Sequence, residues 1–159
     1  MMATTVVERD GEDEDGFVAL YRERYEPMVR LAYLMVGDRA VAEELVQDAF
    51  VSVHRSWARA TQPSAYLRTC VVNACRSWGR RAMLERLRRP APPDPDVLVA
   101  NELWDVLEGL PSRQRAAIVL RFYEDLPDEE IAVLLGCRVP TVRTAIFRGL
   151  AKLRKEIER

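Results

Sequence analysis

Apolar residues recur at intervals of three and four along most of the chain, and no apolar–polar alternation lasts more than a few residues. The pattern predicts helices and no sheet. Between 17 and 36 the stripe is Phe17, Leu20, Tyr21, Tyr25, Met28, Leu31, Ala32 and Met35. Pro27 interrupts it, and a residue without an N–H predicts a kink or break near Tyr25–Glu26. Gly37 closes this unit, and Asp38 stands where it can cap the next helix, expected over 40–57. There Val41, Leu45, Ala49, Val53 and Trp57 form the apolar stripe, widened by Val46 and Phe50, and Glu43, Glu44, Gln47, Asp48 and Arg55 face away. A turn at Thr61–Ser64 precedes a long helix starting at Pro63 or Ser64, with Tyr66, Leu67, Cys70, Val71, Ala74 and Trp78 as its buried side. Residues 1–16 are acidic and lack any period, which reads as a mobile tail.

Residues 88–97 (RRPAPPDPDV) contain four prolines and cannot continue a helix, so they mark a linker and a domain boundary. Helix resumes over 98–124 through Leu98, Leu103, Trp104, Val106, Leu107 and Leu110, breaks at Leu110-Pro111, and continues through Ala116, Ala117, Val119, Leu120 and Tyr123. The stretch Leu126 to Arg154 then has the layout of a helix-turn-helix. Asp128, Glu129 and Glu130 occupy a first turn, Ile131, Ala132, Leu134 and Leu135 pack, and Gly136 permits the turn. On the last helix, Val142, Ile146, Gly149, Leu150, Leu153 and Ile157 fall in one apolar sector. Thr141, Thr144, Arg148, Lys152 and Lys155 fall opposite, with Arg143 and Phe147 on a flank. In a helix of this kind Thr141, Thr144 and Arg148 would face bases, with Arg143 and Phe147 alongside, and Lys152 and Lys155 would meet phosphate.

A net charge of −1 argues against a polyanion partner, but the distribution of charge argues for one. Residues 63–89 carry +6 and residues 137–159 carry +5, separated by −7 over 90–136 and preceded by −5 over 1–16. Two basic blocks suggest two polyanion contacts. The second is the helix just described. The first is the long helix, where Arg68, Asn73, Arg76, Ser77, Arg80 and Arg81 lie off the apolar stripe. Cations interleaved with aromatic and small polar groups suit single-stranded nucleic acid, although a basic solvated helix would show the same residues.

Other chemistries find little support. Cys70, Cys75 and Cys137 fit neither a disulfide framework nor a zinc spacing and read as small buried side chains in a reducing compartment. His54 is the single histidine and has no partner for a triad or metal site. There is no glycine-rich phosphate loop and no paired-carboxylate constellation, so neither catalytic residues nor a cofactor are expected. No apolar run approaches the roughly 18–20 residues that span a bilayer, and the acidic N-terminus is not a signal or transit peptide, so the expected location is the cytoplasm, without membrane insertion.

At this point the residues resemble a family. Leu110-Pro111-Ser112-Arg113-Gln114-Arg115, Leu120-Arg121-Phe122-Tyr123, Glu130-Ile131-Ala132, Leu135-Gly136-Cys137 and Thr141-Val142-Arg143 look like region 4 of bacterial sigma factors. The helix Ala42–Trp57, with its EELVQDAF core, resembles region 2.2, and Pro63–Arg81 resembles regions 2.3 and 2.4. Both regions in this order across a short linker are similar to the extracytoplasmic-function group of the sigma-70 family.

The resemblance implies an all-α protein of two small helical domains: a tail over 1–16, region 2 over 17–87, a linker over 88–100 and region 4 over 101–159. It implies an RNA polymerase subunit that docks on the clamp coiled coil through Leu45, Gln47, Asp48 and Phe50, and on the flap through region 4. Region 2 would melt and hold the single-stranded −10 element through Arg59, Tyr66, Arg68, Asn73, Arg76, Ser77, Arg80 and Arg81, with Asn73 helping to line a pocket for an extruded base. Region 4 would read the duplex −35 element through Arg138, Thr141, Arg143, Thr144, Phe147, Arg148 and Lys152. Many relatives are held by an anti-sigma factor. Four positions depart from the family pattern: Arg138 for a capping Ser, Pro140 for Gly, Ala145 for Arg and Ser77 for an acid. The competing reading is a stand-alone helix-turn-helix regulator of duplex DNA, which would not need the basic helix over 63–81.

Overall fold

The computed structural model describes residues 3–86 and 98–159, and every regular element among them is helical. The proline-rich stretch lies outside the described residues up to position 97. Helix α1 runs Ala3–Val36, α2 Arg39–Arg55 and α3 Pro63–Arg86, with a 3-10 turn at Trp57–Arg59. After the linker come α4 Leu98–Leu107, α5 Ser112–Ile118, a π-helical turn Val119–Tyr123, α6 Asp128–Leu135 and α7 Val139–Ile157.

Two expectations for the N-terminus are corrected. The acidic stretch is helical from Ala3, not an irregular tail, and α1 passes through Pro27 without a break. Phe17 then anchors the helix by edge-on contacts with Phe50, His54 and Trp57. Beyond Pro27, Met28, Leu31 and Ala32 have no exposed surface, and that burial outweighs one missing backbone hydrogen bond.

The first three helices pack together over a core of Met28, Leu31, Val46, Val53, Leu67 and Val71. Asp38 caps α2 as its position predicts, its carboxylate accepting from the Val41 N–H at 3.1 Å. The buried side of α3 is rotated from the expected stripe: Leu67, Val71, Val72 and Cys75 are buried, whereas Tyr66 is exposed and Cys70, Ala74 and Trp78 are half-buried. The three cysteines are free thiols, and only Cys75 is fully buried, which pushes its thiol up to about 12. The second unit is built around α5 and α7, closed by α6, with Leu120, Ile131 and Val142 at its centre. On α7 the apolar sector packs as far as Leu153, which is half-buried against the core. Leu150 and Ile157 are exposed.

The two units touch. Trp104 of α4 lies against Tyr33 with ring centroids 6.2 Å apart, and the Arg115 guanidinium stacks 4.8 Å above the Trp104 ring. Gly37, with φ 77°, turns the chain beneath Trp104, and a Cβ there would overlap the indole. Gly37→Ala therefore meets both backbone strain and a clash. It is expected to lower stability by about 1–3 kcal/mol in urea titrations and to red-shift tryptophan emission as Trp104 is displaced. An unchanged midpoint and spectrum would refute this packing.

Candidate nucleic-acid interface

The helix-turn-helix is assembled by local chemistry. Asp128, Glu129 and Glu130 sit in the first turn of α6, and Gly136 ends it in the left-handed conformation at φ 62°. The chain folds back with the Cys137 N–H on the Ala132 carbonyl at 3.0 Å and the Gly136 N–H on that of Val133 at 3.3 Å. Arg138 precedes α7 without a side-chain cap, and Pro140 falls in its first turn, where a missing N–H is harmless.

Thr141, Thr144 and Arg148 come together as their spacing predicts. They line an open recess of about 350 Å³ with Pro140, Ala145 and two α5 residues, Arg113 and Gln114. Arg113 adds a cation to this face that the last helix alone could not reveal. Phe147, on the flank, is 76% exposed. Arg143 is exposed but tethered: its Nε donates to Asp128 Oδ2 at 3.2 Å, while Asp128 Oδ1 also accepts from Arg121. Lys152 is exposed, and its ammonium donates to the Gly109 carbonyl at 2.6 Å in the turn beyond α4. Ala145 is buried, so the position holds a packing residue here.

On the other unit, Arg59, Tyr66, Asn73, Arg80 and Arg81 are exposed and Ser77 is half-buried. Arg68 and Arg76 turn toward the C-terminal unit. Arg68 Nε donates to Glu124 Oε2 at 3.0 Å, and Arg76 Nη1 donates to the Leu134 carbonyl at 3.1 Å. Burial lowers the affinity of Arg76 for its proton, and the neighbouring charges of Arg80 and Arg113 act the same way.

The α2 residues expected to dock on a partner divide. Gln47 and Asp48 are exposed and Leu45 is half-buried. Phe50 is a correction: it is 3% exposed and forms the hub of an aromatic cluster with Phe17, Tyr21 and Tyr25, so it supports the helix from within. Val51, which the stripe did not single out, is 49% exposed beside Gln47 and Asp48 on the helix surface. Among the described residues no group of His, Cys, Asp and Glu is arranged to hold a metal ion, and no helix is long and apolar enough to cross a membrane.

Comparison with known proteins covers both units. Residues 20–90 match the family described as "Sigma-70 region 2", and residues 100–153 match "Sigma-70, region 4". The chain is 34% identical over 152 residues to an "RNA polymerase sigma-E factor" of Streptomyces avermitilis, covering 89% of this chain and 85% of that protein. It is 31% identical over 150 residues to the "ECF RNA polymerase sigma factor SigM" of Mycobacterium tuberculosis, covering 89% and 76%. The fold is similar to that of the sigma factor RpoE of Bartonella quintana, solved in complex with the anti-sigma factor NepR, with a TM-score of 0.72, 20% identity and coverage of 90% of this chain and 97% of that one. With both regions matched in order and relatives aligned along most of their length, the chain belongs to the extracytoplasmic-function group of the sigma-70 family of RNA polymerase sigma factors.

Proposed function

We propose that this sigma factor divides promoter recognition between two surfaces of its own chain. The exposed side of α3, with Arg59 on the turn before it, holds the melted −10 strand: Arg68, Arg76, Arg80 and Arg81 track phosphate, and Tyr66, Asn73 and Ser77 meet bases. The face of α7 reads the −35 duplex through Thr141, Thr144 and Arg148, with Arg138, Arg143, Phe147 and Arg113 at the margins. Gln47, Asp48, Leu45 and Val51 form the contact with the polymerase clamp, and region 4 meets the flap. The protein is a cytoplasmic specificity subunit with no chemistry of its own, and an anti-sigma partner is part of the proposal. The observation that carries the −35 assignment is the recess that gathers Thr141, Thr144 and Arg148 with Arg113 on one open face.

The direct test is transcription. Purified protein added to core polymerase and a promoter library is expected to yield a defined set of transcripts. Tight binding to free duplex with no transcript would instead favour a stand-alone regulator. Arg148→Ala is expected to weaken −35 binding by about 1–3 kcal/mol, by an amount that depends on the base pair opposite. A loss equal across sequences would make Arg148 a phosphate contact. Asn73→Ala is expected to slow promoter opening, followed by permanganate reactivity of the melted bases, more than it weakens the closed complex. Equal defects in both steps would remove Asn73 from the melting surface.

A further inference from the structure

We propose that the cleft where α3 faces the start of α5 is a binding site for a small organic phosphate with an apolar body. The assignment goes beyond promoter recognition, because the apolar floor of this cleft belongs to neither reading surface.

The cleft exists because several elements meet there without filling the space between them. Its floor takes Met35 from the last turn of α1, Cys75 and Trp78 from α3, Leu110 from the turn before α5, and Leu135 from the end of α6. Trp78 is half-buried and the other four are buried. Gly79 also lines the cleft, and a Cβ added to it would meet nothing within 4 Å. The enclosed volume is about 620 Å³. Small-molecule sites run from roughly 300 to 1,000 Å³ and combine an apolar lining with a few convergent polar groups.

The polar groups here are cationic. Four arginines and a single acid, Glu108, line the cleft. Arg115 is bonded to the Met35 carbonyl and stacked on Trp104. The other three converge from two elements: Arg76 and Arg80 lie one turn apart on α3, and Arg113 is the second residue of α5. Arg80 and Arg113 are exposed, and among the described residues no ion pair holds any of the three. Burial, and then the charges of Arg80 and Arg113, lower the affinity of Arg76 for its proton, so the three guanidinium groups are close enough to feel one another. Like charges drawn together without a counter-charge favour an anion, and guanidinium forks match the oxygens of a phosphate. The floor determines the rest of the ligand. Inorganic phosphate would leave the apolar side chains uncovered, and an uncharged apolar molecule would leave the arginines uncompensated.

Titration calorimetry of the full-length protein, without DNA, tests this with octyl phosphate, inorganic phosphate and octanol as probes. Octyl phosphate is expected to bind at one site, at least roughly tenfold tighter than either of the other two. Arg80→Gln and Arg113→Gln are each expected to weaken its binding about fivefold. Arg22→Gln, which removes the same charge from an exposed position on α1, is expected to leave it unchanged. Equal affinity for octyl phosphate and inorganic phosphate would overturn the proposal by showing an ionic contact that does not use the floor. Equal affinity for octyl phosphate and octanol, or arginine variants that bind like the unaltered protein, would overturn it by removing the cationic rim. The absence of saturable octyl phosphate binding would overturn it outright. None of these outcomes bears on the −10 and −35 surfaces, which the transcription and promoter-opening assays address.

Discussion

A helix ends with carbonyls that its own backbone cannot pair, and the arrangement of this protein follows from where those carbonyls find donors. Within the C-terminal unit the turn at Gly136 accounts for two of them, and Lys152 supplies a donor for Gly109 beyond α4. At the ends of α1 and α6 the donors are arginines of the opposite unit. The two helical units share one cluster of buried apolar residues, and guanidinium groups, one carboxylate and one tryptophan fix how they meet.

The uneven charge of the sequence acquires a structural meaning in this light. The acidic segment 90–136, at −7, meets its basic neighbour, at +6, in an ion pair between Glu124 and Arg68. Nucleic acid offers the same arginines a denser array of negative charge. Thus a protein with a net charge of −1 can present a basic surface to a promoter while keeping part of it neutralised in the free state. On the exposed face of the last helix Arg143 pairs with Asp128, a carboxylate that also binds Arg121, so its charge is shared, and Lys152 donates to the Gly109 carbonyl.

The helices and their ends were legible in the sequence because the signals are local. Asp38 before a periodic run, Gly136 after one, and Leu110-Pro111 between two act within a few residues of themselves. The faces were less legible. The broad apolar side of α2 hides which edge is covered, and only the packing of α1 across it shows Phe50 inside and Val51 outside. On α3 the true buried side includes Val72 and Cys75 because two partners cover it, and one stripe cannot report two partners. Pro27 was overrated for a related reason, since its local penalty is smaller than the burial on both sides of it. The partners of Arg68 and Arg76 lie 56 and 58 positions away, and nothing in the spacing of either residue could indicate them. The grouping of Thr141, Thr144 and Arg148 on one face of α7 was legible because it depends on one helix and its own periodicity, whereas Arg113 joined it only through the tertiary fold.

The account stands on α3 holding the single strand while α7 reads the duplex, and the measurement that addresses this most directly is a structure of the protein bound to core polymerase on an opened promoter. Arg68 and Arg76 are expected at hydrogen-bond distance, about 3 Å, from the non-template strand, with Glu124 and the Leu134 carbonyl carried away on a separated region 4. A promoter complex in which Arg68 still pairs with Glu124 and Arg76 still caps α6 would contradict it.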